Sequence, residues 1–112
     1  MNHTRIEDMF KGWFVGNFMP SAYQTQACEV AVKQYKAGES EPSHFHKIAT
    51  EITLVLFGRV RMAGQEWLAG DIITLAPGEV TDFEALTDTI NVVVKVPGVL
   101  NDKFSSSSPL SK

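Results

Sequence analysis

Short apolar segments follow one another along the chain, and turns rich in glycine and proline separate them. Residues 52–57, Ile-Thr-Leu-Val-Leu-Phe, predict a buried strand, because the segment is short, mostly aliphatic and ended by a glycine. Residues 27–36 alternate and are rich in valine and alanine, which favours another strand. Further strands are predicted over residues 43–47, 59–62, 66–68, 72–75, 80–85 and 90–96.

Many short strands with little helix predict an all-β sandwich or barrel, and a jelly roll is the arrangement we prefer. Residues 4–11 predict a short helical lead-in, residues 12–18 a first strand or covering segment, and residues 37–42 a loop. We expect one domain. Its parts are an N-terminal lead-in or covering segment over 1–26, a barrel over 27–104 and a disordered serine-rich tail over 105–112.

Composition and charge restrict the class of protein. The 112 residues suit a single domain, and the net charge of −3, with basic residues scattered singly, argues against nucleic-acid binding. The N-terminus has no apolar signal core, and no apolar run reaches the roughly 20 residues of a membrane helix. The single cysteine, Cys28, rules out an internal disulfide and favours a cytoplasmic protein.

Two histidines and a glutamate form the candidate site. His44 and His46 lie two residues apart on a predicted strand, so their side chains share one face. Glu51 begins the next strand, and a hairpin between the two strands would place its carboxylate beside both imidazoles. Such a set leaves coordination positions open and suits a divalent transition metal, with Fe, Mn, Ni and Zn as the candidates.

The spacing of these residues resembles the first motif of the cupin superfamily. Gly38, His44, His46, Glu51 and Gly58 match that motif without a gap, and the segment from Gly70 to Gly78 is similar to the second motif. The resemblance covers roughly residues 27–97. It implies a double-stranded β-helix (jelly-roll) barrel, a metal-binding site and a homodimer, which would also cover exposed sheet edges.

The second motif departs from the family pattern at the position of a metal ligand. The usual histidine is replaced by Thr81, and Ala76 and Ala85 replace a proline and an asparagine. Asp82 follows, but strand alternation points it away from the face of Thr81 unless a bulge intervenes. Two readings stay open: three ligands hold a metal with water in the gap, or the metal is lost and the histidines act as acid, base or hydrogen-bond donors.

Polar strand residues are the candidates for a ligand-lining set. These candidates are Lys33, Thr53, Arg61, Thr81 and Lys95. A polar lining favours a small polar ligand, carbohydrate-like or an organic acid.

Three functions follow from these readings. The first is a metal-dependent protein acting by oxygenase, isomerase or lyase chemistry. The second is a metal-free sugar-nucleotide isomerase or epimerase. The third is a non-catalytic module that binds a small molecule. A fold with so many activities does not choose among them.

Overall fold

The structure is a computed structural model, and it describes residues 1–106. The chain begins with a short 3-10 helix, Ile6–Asp8. The strands are β1 (Trp13–Val15), β2 (Glu29–Tyr35), β3 (Ser40–His46), β4 (Thr50–Phe57), β5 (Arg59–Met62), β6 (Gln65–Leu68), β7 (Ile72–Leu75), β8 (Thr81–Ala85), β9 (Thr89–Val96) and β10 (Lys103–Ser105). Within the described residues, no helix is long and apolar enough to span a membrane.

The strands form two five-stranded antiparallel sheets. Sheet I has the order β1-β2-β9-β4-β7, and sheet II has the order β10-β3-β8-β5-β6. Consecutive strands such as β3 and β4 lie in opposite sheets, which is the jelly-roll arrangement that the sequence predicts. Over residues 1–106, strand pairing does not join the two sheets into a closed barrel. The fold is therefore a double-stranded β-helix whose sheets face each other.

Apolar side chains fill part of the space between the sheets. Alternation along the strands brings them together from both sheets, and the buried cluster is Val55, Val60, Met62, Ile73, Leu75, Phe83 and Ala85. Tyr35 and Trp67 pack against this cluster. The side chains at positions 51 and 53 of β4 face the same interior as Val55, but they are polar. One β4 face thus supplies both the core and the wall of a polar cavity.

Two local predictions are wrong. Residues 40–42 were predicted within a loop because serine, glutamate and proline favour turns, yet they begin β3. Pro42 fits there because the β3–β8 pairing shifts between Glu41 and His44, and a bulge needs no regular ladder bond at every residue. The expected hairpin between β3 and β4 is also absent, because these strands belong to different sheets.

The division of the chain into three parts stays a prediction. The tail expected over residues 105–112 lies outside the described residues from 107 onward. Ser105 is the last residue of β10, and the backbone N–H of Ser106 donates to the carbonyl of Ser43.

A buried carboxylate holds the connection between β3 and β4. Asp102, only 5% exposed, accepts backbone N–H bonds from Lys47, Ile48 and Ala49 at distances of 2.9 to 3.3 Å. Burial acts to raise the pKa of Asp102, but these N–H groups outweigh it and hold the pKa below its usual value. Because the connection joins the strand of the two histidines to that of Glu51, Asp102 fixes the relative position of the three residues.

Gly58, the last glycine of the motif, occupies a backbone position that excludes a side chain. Its φ is +94°, in the region that favours glycine, and an added Cβ would lie 2.2 Å from the carbonyl oxygen of Asp88. Gly64 also has a positive φ, +78°, but no atom lies within 4 Å of its added Cβ. Both glycines therefore have a positive φ, but only at Gly58 would a side chain also clash with a neighbouring atom.

Gly58→Ala should lower the free energy of unfolding by about 3 kcal/mol, because left-handed strain adds to the clash with Asp88. Gly64→Ala is the matched control and should cost only about 1 kcal/mol, from strain alone. Urea unfolding followed by circular dichroism measures both. Equal costs for the two variants would contradict the steric role of Gly58.

Asp102→Ala should lower the free energy of unfolding by about 3 kcal/mol, because it removes the acceptor of three backbone N–H groups, of which that of Ala49 is buried. Asp102→Asn keeps the shape and should cost less. Since the pKa of Asp102 is lowered by folding, its carboxylate stabilises the fold above the unfolded pKa, and this is lost as the pH falls through the folded pKa.

The difference in free energy of unfolding between the unmodified chain and Asp102→Asn should therefore be largest at neutral pH and decrease below about pH 4. Urea unfolding at several pH values measures it, with the exposed Asp82→Asn as control. A difference that persists unchanged at acid pH would refute the role of the ionised carboxylate.

Candidate metal centre

His44, His46 and Glu51 meet in the space between the two sheets. The histidines come from β3 in sheet II and the glutamate from β4 in sheet I, so the site bridges the sheets. All three residues are buried, and each offers one ligand atom within 4.8 Å of the others. The imidazole rings stand almost perpendicular, with centroids 5.4 Å apart. The predicted three-residue face is thus assembled, although across the interior and not through a hairpin.

The hydrogen bonds of the histidines leave ring nitrogens free for a ligand. Nδ1 of His44 donates to the carbonyl of Pro42 at 3.1 Å, since a carbonyl can only accept. This fixes the tautomer and leaves the Nε2 lone pair of His44 available, as in many metal-binding histidines. Nε2 of His46 is buried, lies 3.8 Å from Oε2 of Glu51 and has no hydrogen-bond partner within the described residues. A buried nitrogen without a partner is costly, and a metal ion would satisfy it.

The surroundings set the charge of each ligand. Burial first, then Lys95 and His44, lowers the pKa of His46 to about 4, so this imidazole is neutral at pH 7. Burial raises the pKa of Glu51 above its usual value, although Lys95 and His44 act against it. Neutral imidazoles are the form that binds metals, and a divalent cation would offset the cost of the buried carboxylate. The residues present therefore fit a divalent ion.

The position of the missing fourth ligand is occupied by a small polar side chain. Thr81 pairs directly with His44 across β3 and β8, is buried and lines the cavity. Its hydroxyl donates to the carbonyl of Asp82 at 2.7 Å. Asp82 itself is exposed, as alternation predicts, and it is not part of the cluster. Three protein ligands and one open side are what the described residues provide.

A cavity of about 1390 Å³ is lined by His44 and Glu51, two of the three residues. Four of the five predicted lining residues face it: Lys33, Thr53, Thr81 and Lys95. Arg61 does not. It is exposed on β5 and pairs with Glu66 and Glu84, because its buried neighbours Val60 and Met62 take the inward positions of the strand.

Sequence reasoning missed Glu41 and Tyr35. By strict alternation Glu41 would face away from His44, but the bulge between them turns both toward the interior, opposite Phe83 and Thr81 respectively. The Tyr35 hydroxyl donates to the Glu41 carboxylate in a short hydrogen bond. Burial first, and then Glu41, raises the pKa of Tyr35, so the phenol stays protonated. Pro42, between Glu41 and His44, was the only sequence signal of this bulge.

Two buried polar atoms on sheet I also lack partners within the described residues. They are Oε2 of Glu29 and Oδ1 of Asn91, both on residues that line the cavity. Burial raises the pKa of Glu29. Buried polar atoms without a hydrogen-bond partner in the protein usually bind water or a ligand. The cavity is therefore polar on the wall of sheet I as well as at the three residues.

The comparisons with known proteins concern structure. No protein-family model matches the chain, and no curated protein matches it. The structure is similar to an uncharacterised conserved protein with a double-stranded β-helix domain from Klebsiella pneumoniae, with TM-score 0.62 and 27% identity. The match covers 66% of this chain and 66% of that one, just under two thirds of each.

Two further solved structures show the same fold. A predicted oxalate decarboxylase from Thermotoga maritima has TM-score 0.58 and 26% identity, over 64% of this chain and 68% of that one. An RmlC-like cupin protein from Desulfovibrio desulfuricans has TM-score 0.60 and 20% identity, over 67% and 76% of the two chains. Together with the strand order, these similarities show that the chain has the double-stranded β-helix fold of cupin proteins.

Proposed function

We propose that this protein binds one divalent transition-metal ion through His44, His46 and Glu51 and acts on a small polar molecule in the adjacent cavity. The observation that carries the proposal is the buried, unpartnered Nε2 of His46, 3.8 Å from a buried carboxylate oxygen. Fe, Mn, Ni and Zn all accept this mixture of nitrogen and oxygen ligands. When bound, such an ion supplies a Lewis acid that polarises a ligand oxygen or activates water.

The chain's own residues would prepare the cavity for such a ligand. The Pro42 carbonyl holds the His44 ring in one tautomer, and Thr81 leaves one side of the site open. Protonated Tyr35 orients the Glu41 carboxylate and cannot serve as a base itself. The polar lining favours a carbohydrate-like molecule or an organic acid over a lipid. Oxygenase, isomerase and lyase reactions all remain compatible with this arrangement.

We also propose a homodimer formed through the outer face of sheet I. The residues there pair in register across β2, β9, β4 and β7, so they share one face: Val30, Val32, Ile52, Leu54, Ile72, Val92 and Val94. All are aliphatic, and Ile72 is 63% exposed. An uncharged apolar surface can meet its own copy without burying unpaired charge, which suits an isologous dimer. A cytoplasmic location stays a prediction from Cys28.

The metal proposal predicts about one equivalent of transition metal per chain, because the three residues form one site. Elemental mass spectrometry measures it on protein purified without a His-tag or chelator and then reconstituted with Fe(II), Mn(II), Ni(II) or Zn(II). His44→Ala, His46→Ala and Glu51→Ala should each lose most of the metal, and His3→Ala is the matched control.

His3 is the remaining histidine of the chain and is exposed, so its removal should leave the metal content unchanged. Absence of metal after every reconstitution would sink the metal proposal and favour the metal-free isomerase or binding module.

The dimer proposal predicts that Ile72→Glu gives a monomer, because it places a charge in the apolar face. Size-exclusion chromatography with light scattering should report twice the chain mass for the unmodified protein. Val80→Glu, at an exposed valine in the turn before β8, is the control and should remain dimeric. A monomeric unmodified chain at micromolar concentration would rule the dimer out.

A further inference from the structure

Two lysines converge on one indole ring inside the cavity. Nζ of Lys33 lies 5.6 Å and Nζ of Lys95 lies 4.8 Å from the centroid of Trp13. Strand register explains the convergence. Trp13 pairs with Ala31, and Ala31 pairs with Val93. Because β2 and β9 are antiparallel, Lys33 and Lys95 lie on opposite sides of this pair, and their long side chains reach the ring from either side. All of these side chains are on the inner face of sheet I.

Neither ammonium group has a carboxylate partner among residues 1–106. The ion pairs of that region involve other cations, such as Lys103 with Glu41 at 3.3 Å. Lys33 donates only to the Lys11 carbonyl at 3.3 Å, and burial lowers its pKa. Carboxylates of the described residues act on both lysines only from beyond ion-pair distance: Glu41 on Lys33, and Glu29 and Glu51 on Lys95. An anion in direct contact would stabilise these partly buried ammonium groups further.

The lysine pair lies next to the metal-binding residues. Lys95 on β9 pairs directly with Glu51 on β4 and, on its other side, with Glu29 on β2. Residues opposite each other in antiparallel strands have Cβ atoms about 5 Å apart. A small molecule that contacts Lys95 is therefore within reach of the His44, His46 and Glu51 face. Lys95 also acts electrostatically on that face, since it lowers the pKa of both His46 and Glu51.

We propose that Lys33 and Lys95 bind the carboxylate of a small organic acid, whose second oxygen-bearing end reaches His44, His46 and Glu51. This assignment rests on the proposed function for the second contact, but the lysine contact does not need the metal. A carboxylate is favoured over a phosphate dianion because Glu29, Glu41 and Glu51 line the same cavity and would repel the second negative charge.

Binding of the monoanion 4-hydroxybutyrate to chelator-treated, metal-free protein tests the assignment. The indole ¹H–¹⁵N signal of Trp13, identified with Trp13→Phe, reports binding because both lysines contact this ring. 4-Hydroxybutyrate should shift the signal saturably, whereas the neutral amide 4-hydroxybutanamide should not. Lys33→Met and Lys95→Met should each raise Kd about tenfold or more, because each removes a charge-assisted contact. Lys95→Arg keeps the charge and should retain most of the affinity.

Lys47→Met is the matched control. Lys47 also lies over an aromatic ring, with Nζ 4.4 Å from the Phe104 centroid, but it does not line the cavity. Its Kd should be unchanged, and thermal melting verifies that every variant is folded. Equal binding of 4-hydroxybutanamide, an unchanged Kd in both lysine variants, or tighter binding of inorganic phosphate than of 4-hydroxybutyrate would overturn the assignment.

The two proposals fail in different ways. Lysine-dependent binding of 4-hydroxybutyrate in a protein that takes up no metal would support this inference while the metal proposal fails. Metal uptake with binding of 4-hydroxybutyrate only after metal loading would overturn the lysine site and leave the metal site standing.

Discussion

The meeting of His46 and Glu51 across the gap between the two sheets is the contact on which the site depends. Both side chains are removed from water, and desolvation acts on them in opposite directions: it favours a neutral imidazole and raises the pKa of the carboxyl group. Nε2 of His46 has no hydrogen-bond partner among residues 1–106, so the pair is an energetic cost to the free protein. Such a cost at one place in an otherwise consistent fold is typical of a functional site. A divalent cation is the ligand that would relieve both members at once.

The rest of the fold keeps this unfavourable pair in place. The apolar cluster that includes Val55 and Phe83 holds the sheets together, and the same strands continue from that cluster into the cavity wall. Asp102 accepts hydrogen bonds from three backbone N–H groups of the β3–β4 connection. It thereby fixes the position of the strand end that carries the two histidines relative to the strand start that carries Glu51. Because the anchor is a charged, buried acceptor, the connection is rigid without apolar side chains of its own.

Charge in the cavity is arranged by strand register. Lys95 lies between Glu29 and Glu51, and it shares the Trp13 ring with Lys33, which comes from the neighbouring strand. Glu41 enters from the opposite sheet because of a single bulge and is held by Tyr35 and Lys103. Acidic and basic groups therefore occupy defined places, and Lys95 is next to Glu51, one of the candidate metal ligands. This ordered placement of charged groups distinguishes the cavity from an ordinary polar surface.

Much of the fold and the centre of the site were readable from the sequence, because they depend on local periodicity. Alternation placed His44 and His46 on one face and Asp82 on the other, and short apolar segments between turns predicted β4, β5 and β7 closely. The tertiary structure alone decided which strands face each other. It put Glu51 in the opposite sheet, turned Glu41 inward at a bulge, left Arg61 outside and brought Asp102 to a connection more than fifty residues away. The physical reason is that periodicity specifies the face of a strand, whereas sheet pairing and long-range hydrogen bonds specify its neighbours.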